Sequence, residues 1–302
     1  MSTPSVRISD PLAQPQGWRA NLLAYVELTK PRIIELLLVT TVPAMAVAAG
    51  GWPDTWLVLA TLIGGTLSAA GANTLNQVAD RDIDEKMRRT RRRPVPTHRI
   101  PARNAVVFGV MLGIAGFGVL WASSNLLAAL LSTAGLLFYV FVYTLYLKRR
   151  SVQNIVIGGA AGAMPPLVGW AAVTGSLALP AWLMFAVVFY WTPPHFWALA
   201  LRYEDDYAAA GVPMLPVVVG VERTLDHIAA YSVILAGVSL MLATTDALGA
   251  LYTVSASVLG IGLVAAAWRL RSRPGESMRF FTWSNVYLAA LFLSMLADAL
   301  LV

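Results

Sequence analysis

Every lysine and arginine in this chain falls on one side of an alternation set up by its apolar residues. Apolar stretches of about 20 residues, the length that spans a hydrocarbon core, lie at roughly 31–50, 55–79, 104–122, 125–146, 153–173, 180–201, 227–245, 249–268 and 281–301. All 22 basic residues lie around the start of the first stretch or in every second connection after it. The remaining connections, among them Gly50-Gly51-Trp52-Pro53, Ser123-Ser124-Asn125 and Gly175-Ser176 before Pro180, hold none. One-sided basic loops orient a membrane protein with those loops inside. The pattern predicts an all-α polytopic membrane bundle of about nine transmembrane helices, N-terminus cytoplasmic and C-terminus outside.

Composition agrees. The chain is 58% hydrophobic and 13% charged, about half the charge of a soluble domain, and its mean hydropathy is +0.66. The net charge of +6 is then a topology signal and requires no nucleic acid. The absence of cysteine excludes disulfides, thiolate metal sites, cysteine nucleophiles and covalent c-type haem attachment. Residues 1–22 are polar, with Pro4, Pro11 and Pro15 and no apolar signal-peptide core. They are expected to form a flexible tail ahead of a single membrane domain over 23–302.

Small residues recur inside the spans, as in Gly64-Gly65, Gly71-Ala72 and Gly158-Gly159-Ala160-Ala161-Gly162-Ala163, and let helix backbones approach closely. Pro165-Pro166 and Pro193-Pro194 are expected to break or kink their helices. Kinks at membrane depth are tolerated where they line a cavity, so the two pairs point to a shaped pocket.

The chemistry concentrates where the second span meets the most basic loop. Asn76, Asp80 and Asp84 are spaced i, i+4, i+8 and share one helix face. Three hard oxygen donors in a row suit Mg²⁺, which takes one or two carboxylates together with substrate phosphates. An acid at a helix C-terminus opposes the macrodipole, which argues against a merely solvated helix end. Asp82 points to the opposite face and ranks below its neighbours. Arg88, Arg89, Arg91, Arg92 and Arg93 follow, cations for the rest of an anionic substrate. A second acidic run, Glu204-Asp205-Asp206, closes the sixth span on the same side. Alone it reads as an exposed acidic turn; with the first motif it can help hold Mg²⁺ on a diphosphate.

His195, in Trp191-Thr-Pro-Pro-His195-Phe-Trp197, is the one histidine of three inside a span. An intramembrane ionisable residue is a functional candidate. Two readings stand: a neutral imidazole bonded to a carbonyl freed by the prolines, or a ligand for a polar or metal-bearing substrate. Tyr143, Lys148 and Asn154 bracket the turn after the fourth span, where Lys148 either contacts a phosphate or snorkels to the interface. Glu35, early in the first span, is expected to pair with an arginine.

Together these residues resemble the UbiA-type intramembrane prenyltransferases, from about Thr29-Lys-Pro-Arg32 to the C-terminus. Asn76-xxx-Asp80-xxx-Asp84 matches the first acidic motif of that family. Closer to its haem-prenylating branch are Met87-Arg-Arg89-Thr90-Arg-Arg-Arg93-Pro94 and Asn154-Ile-Val-Ile-Gly-Gly159 with Pro165-Pro166. Closest is Trp191 to Ala200, followed by Asp205-Asp206-Tyr207 and Gly211-Val-Pro-Met-Leu-Pro216. One departure is that the family's second motif often has two aspartates four apart, whereas Glu204, Asp205 and Asp206 are contiguous. Which of them holds metal stays open.

The resemblance implies a bundle around a central cavity, with its acidic mouth on the cytoplasmic side of a bacterial-type inner membrane. It implies transfer of the farnesyl group of farnesyl diphosphate to a vinyl group of haem b, with addition of water. Haem is then a substrate and Mg²⁺ the cofactor. The implied catalytic and metal-holding residues are Asn76, Asp80, Asp84, Asp205 and Asp206. Arg89, Arg93 and Lys148 are implied for the diphosphate, and His195 for the haem. By analogy alone, the expected partner is a haem A synthase or an oxidase assembly. Three rivals remain: a structural membrane protein, which needs no doubled acid motif; the same chemistry on an aromatic quinone precursor; and a transporter or haem carrier without catalysis. The last would place its acids along a path at mid-membrane, whereas these cluster at one surface.

Overall fold

A computed structural model describes residues 17–301, apart from the side chains of residues 32–38. Among the described residues every regular element is helical. The chain begins with α1 (Trp18–Thr29), turns at Lys30 into α2 (Pro31–Ala49), and continues through α3 (Thr55–Ala79), the short α4 (Arg81–Lys86) and α5 (Ala102–Ser123). Next, α6 (Leu126–Leu137) runs through a π-helical segment, Phe138–Leu147, into the single turn α7 (Lys148–Arg150). The remaining helices are α8 (Asn154–Gly162), α9 (Met164–Thr174), α10 (Leu179–Arg202), α11 (Glu204–Ala209), α12 (Leu215–Leu242), α13 (Ala250–Ser272) and α14 (Ser277–Leu301).

Seven rods among the described residues are long and apolar enough to cross a membrane. They are α3, α5, Leu126–Arg150, Asn154–Thr174, α12, α13 and Pro274–Leu301. The other two expected spans also fold as helices: α2 of 19 residues, apolar over Val39–Ala49, and α10 of 24, which falls outside that set. In α10 the run Tyr190-Trp-Thr-Pro-Pro-His195 lowers the hydropathy of a helix whose place is inside the bundle. The protein is an integral, multi-pass membrane protein. Val107, Met111 and Ile114 on α5, and Val254, Val258 and Ile261 on α13, are exposed, apolar stripes of the kind that lipid covers.

The expected tail to residue 22 falls largely outside the described residues, and α1 begins within it at Trp18. The Glu35 side chain also lies outside them. The proline pairs behave differently from each other. Pro165-Pro166 sits at the start of α9, just after a break at Ala163, as expected. Pro193-Pro194 breaks nothing, since α10 runs through it. A further break comes from Gly220, whose φ of 81° interrupts α12.

Small residues set the closest packing. A Cβ on Gly116 of α5 would lie 2.8 Å from both Gly64 O and Ser68 N of α3. One on Gly71 would lie 2.7 Å from Gly109 O. The α3 and α5 backbones thus touch along a glycine seam, as the composition of the spans predicts. The main core, including Met184, Val187, Ile228, Tyr252, Tyr287 and Phe292, joins α2, α9, α10, α12, α13 and α14. At the arginine-bearing end a separate apolar cluster of Ile83, Met87, Ile155, Ala200, Tyr207, Ala210, Val212 and Met214 clamps α4 to the α10–α12 connection. That clamp brings the two acidic runs to one end of the bundle.

Candidate active site

At Asp80 the backbone leaves helical geometry (φ −91°, ψ 1°) between α3 and α4. The hydrogen-bond ladder survives the turn: Asp80 N–H donates to Asn76 O at 2.9 Å and Asp84 N–H to Asp80 O at 2.8 Å. Asn76, Asp80 and Asp84 thus stay in one row, and all three are buried, at 3%, 1% and 1% exposure. The turn changes the dipole argument. Asp82 and Asp84 lie in the first turn of α4, where acids are favoured, and only Asp80 stands at a helix C-terminus.

Each member of the row meets a cation. Lys30 Nζ donates to Asn76 Oδ1 at 2.7 Å, Lys148 Nζ to Asp80 Oδ2 at 2.5 Å, and Arg93 Nη1 to Asp84 Oδ2 at 2.7 Å. Asn76 Nδ2 in turn donates to Asp80 Oδ2 at 2.9 Å and to Thr144 Oγ1 at 3.0 Å. Three cations face two carboxylates here, a surplus that favours an anion. Lys30 reaches Asn76 from a left-handed backbone (φ 52°, ψ 63°), uncommon for a residue with a Cβ. Burial pulls its ammonium well below the usual lysine range, Arg93 adds to this, and Asp80 opposes it.

The row fits Mg²⁺ by its chemistry. Asp80 Oδ1 is buried without a hydrogen-bond partner, an acceptor that is costly to leave so. Among the described residues no three Asp, Glu, His or Cys side chains form a metal cage. Two carboxylates and an amide, completed by phosphate oxygens and water, are instead what Mg²⁺ takes at phosphate sites.

Asp82 projects away, as its spacing predicts, and receives both Arg149 guanidinium nitrogens at 2.7 and 2.8 Å. That pair holds its carboxyl down at about 2. Asp206 faces Arg88 at 4.0 Å, while Asp205 is exposed. Arg89 lies over the Tyr203 ring, 5.8 Å from its centre, on the same side of the site as that second acidic run. Asn154 ties the two turns together, donating to Ser151 O at 2.6 Å and Pro213 O at 3.2 Å.

His195 is buried elsewhere on α10, seven residues before Arg202, about 10 Å along the axis. Its ring stacks between Trp191 and Phe281, with both centroids at 4.2 Å. Nδ1 meets Ser284 Oγ at 2.8 Å and not a carbonyl freed by the prolines. Ser284 Oγ also lies 2.8 Å from Phe281 O, so the ring is held in a serine–carbonyl network.

Neither Lys30 nor Thr144 stands out as a site residue in the sequence. Lys30 reads as one of the topology-setting cations at the start of the family resemblance, and nothing in Thr29-Lys-Pro announces a left-handed turn. Thr144 stands four residues before Lys148, the same interval as Asn76 to Asp80, which is the signal that marks it.

The chain matches the model of the UbiA prenyltransferase family over residues 37–295. It is 52% identical over 294 residues to a protein of Mycobacterium sp. (strain KMS) named protoheme IX farnesyltransferase, covering 95% of this chain and 94% of that one. It is 54% identical over 286 residues to protoheme IX farnesyltransferase 1 of Saccharopolyspora erythraea, covering 93% and 91%. Among solved structures it resembles one of digeranylgeranylglyceryl phosphate synthase, with a TM-score of 0.77 at 18% identity over 93% of this chain and 99% of that one. It also resembles a UbiA homologue from Archaeoglobus fulgidus bound to DMAPP and Mg²⁺, with a TM-score of 0.65 at 16% identity over 90% and 98%.

Proposed function

This chain belongs to the UbiA prenyltransferase family, and from that premise we propose that it transfers the farnesyl group of farnesyl diphosphate to a vinyl group of haem b. The carbon–oxygen bond to diphosphate breaks, the vinyl carbon bonds the allylic carbon, and water adds to the resulting cation with loss of a proton. The products are the hydroxyethylfarnesyl haem, haem O, and diphosphate. The observation that carries this reading is the buried row Asn76, Asp80 and Asp84, faced by Lys30, Lys148 and Arg93 and holding an unpartnered Asp80 oxygen. The names of the Mycobacterium and Saccharopolyspora relatives support the choice of acceptor and donor.

On this reading Asn76, Asp80 and Asp84, with Asp205 and Asp206 from α11, would hold Mg²⁺ and the diphosphate. When bound, Mg²⁺ supplies neutralisation of the leaving group's charge. Lys30, Lys148, Arg89 and Arg93 bind phosphate oxygens, the arginines by paired contacts. The burial of Asn76, Asp80 and Asp84 keeps bulk water from the ionising bond and strengthens each charge–charge interaction. His195 is the residue that meets the haem, and its ring is held by Trp191, Phe281 and Ser284. The arginine-bearing end lies in the cytoplasm, by the positive-inside rule.

The test is a competition. Purified protein receives labelled farnesyl diphosphate, Mg²⁺ and equal amounts of haem b and an aromatic quinone precursor. Label on the haem supports the proposal. Label on the aromatic acceptor alone overturns it in favour of the quinone-type reaction.

A further inference from the structure

The rod Leu126–Arg150 is not uniform: from Phe138 to Leu147 it is π-helical, and π-segments gather at functional sites. Its consequence is visible at Thr144. Inside α-helices of this protein, Thr74, Thr133 and Thr192 donate four residues back, to Ala70, Ala129 and Val188. Thr144 donates five residues back, to Tyr139 O at 2.8 Å. It is fully buried, and its single proton is committed to that carbonyl.

Toward Asn76 the Thr144 hydroxyl is therefore an acceptor only, and the atom 3.0 Å away is the amide nitrogen. The chain of donors runs from Asn76 NH₂ to Thr144 Oγ1 to Tyr139 O. It fixes which way the Asn76 amide faces and leaves Oδ1 to Lys30 Nζ. Asp80 Oδ2 also receives the amide, but it answers to Lys148 as well. Thr144 is anchored to its own backbone and competes for nothing. The register serves both contacts: Thr144 to Asn76 and Lys148 to Asp80 are two rungs, four residues apart on each rod.

We propose that Thr144 is a positioning residue for prenyl transfer: through the π-turn at Tyr139 it locks the Asn76 amide with its carbonyl oxygen presented to the cation side of the site. The inference rests on the reading of Asn76 as a metal and diphosphate ligand. It assigns the π-segment a task, which is to turn the Thr144 hydroxyl onto the fifth carbonyl back.

Thr144→Val keeps the shape and removes the hydroxyl; Thr144→Ser keeps the hydroxyl. Mn²⁺ binding to the full-length protein in detergent, with inorganic diphosphate present, is followed by electron paramagnetic resonance. The Mg²⁺ concentration for half-maximal turnover is measured alongside. Thr144→Val should weaken Mn²⁺ binding by about tenfold or more, the loss typical when a ligand's supporting hydrogen bond is removed. Thr144→Ser should stay near wild type, and in an Asn76→Ala background Thr144→Val should have no further effect. Equal loss in the Val and Ser variants, or full additivity with Asn76→Ala, overturns the proposal in favour of a packing role. Wild-type binding unaffected by Asn76→Ala overturns the reading of Asn76 itself. Binding that needs Asn76 but is indifferent to Thr144→Val overturns only the present inference.

Discussion

Removing either partner of the Asp80–Lys148 pair should destabilise the protein unequally, in an order set by the charges around it. The pair is 2.5 Å long, with side chains 1% and 13% exposed. At an effective dielectric of 20 its attraction is about 7 kcal/mol before desolvation. Desolvation offsets most of that, but breaking such a pair from one side typically costs about 3–5 kcal/mol. Lys30, Arg93 and Asp84 complete the group. Lys148→Met leaves two cations facing two carboxylates, whereas Asp80→Asn leaves three cations facing one. Asp80→Asn should therefore be the worse, near the upper end of that range, and Lys148→Met near the lower. The double variant restores the native surplus of one positive charge and should return to within about 1 kcal/mol of wild type, because replacing both partners is nearly neutral. Turnover should nevertheless be lost in all three. The assay is thermal unfolding in one detergent at a fixed scan rate, where the single variants should fall by roughly 10 °C. A double variant as unstable as the sum of the singles, or Lys148→Met falling further than Asp80→Asn, would refute the charge argument.

Other expectations follow from particular contacts. Gly116→Ala places a Cβ 2.8 Å from two α3 backbone atoms that cannot swing aside, and should cost about 1–3 kcal/mol; Gly65→Ala, with nothing within 4 Å, should leave the unfolding temperature unchanged. Asp82 has its carboxyl held at about 2 by Arg149, so its stabilisation is fully present above the ordinary carboxylate range and is lost progressively as pH falls from there to about 2. Because the pair is exposed, Asp82→Asn should cost less than about 1 kcal/mol, by the same amount from pH 5 to 8, and a difference that vanishes at pH 5 would contradict that assignment. His195→Ala should weaken haem retention by purified protein, and an unchanged haem spectrum and affinity would leave His195 as packing between Trp191 and Phe281.

The row of acids was legible because its spacing survives a local surprise. The sequence periodicity implies one helix through Asp84; the chain instead breaks at Asp80 and restarts, yet the bonds from Asp80 to Asn76 and from Asp84 to Asp80 carry the same face onward. The glycine seam was legible for a simpler reason, since small residues in a span have little to offer except close approach. Lys30 was hidden because its reach depends on a left-handed backbone just before Pro31. The partner of His195 was hidden because Ser284 lies 89 residues away on another helix, a pairing that no local pattern encodes. Thr144 was half visible: the i, i+4 relation to Lys148 can be read from sequence, but the change to π-winding that turns its hydroxyl cannot.

The central claim is that the buried Asn76–Asp80–Asp84 row drives prenylation of haem. The most direct measurement incubates purified protein with haem b, farnesyl diphosphate and Mg²⁺ and weighs the extracted haem by mass spectrometry, beside EDTA-treated protein and a folded Asp84→Asn variant. The account predicts a gain of one farnesyl group plus one water in the untreated wild type, and unmodified haem in the other two. The same gain from Asp84→Asn, or unmodified haem from folded wild-type protein, would contradict it.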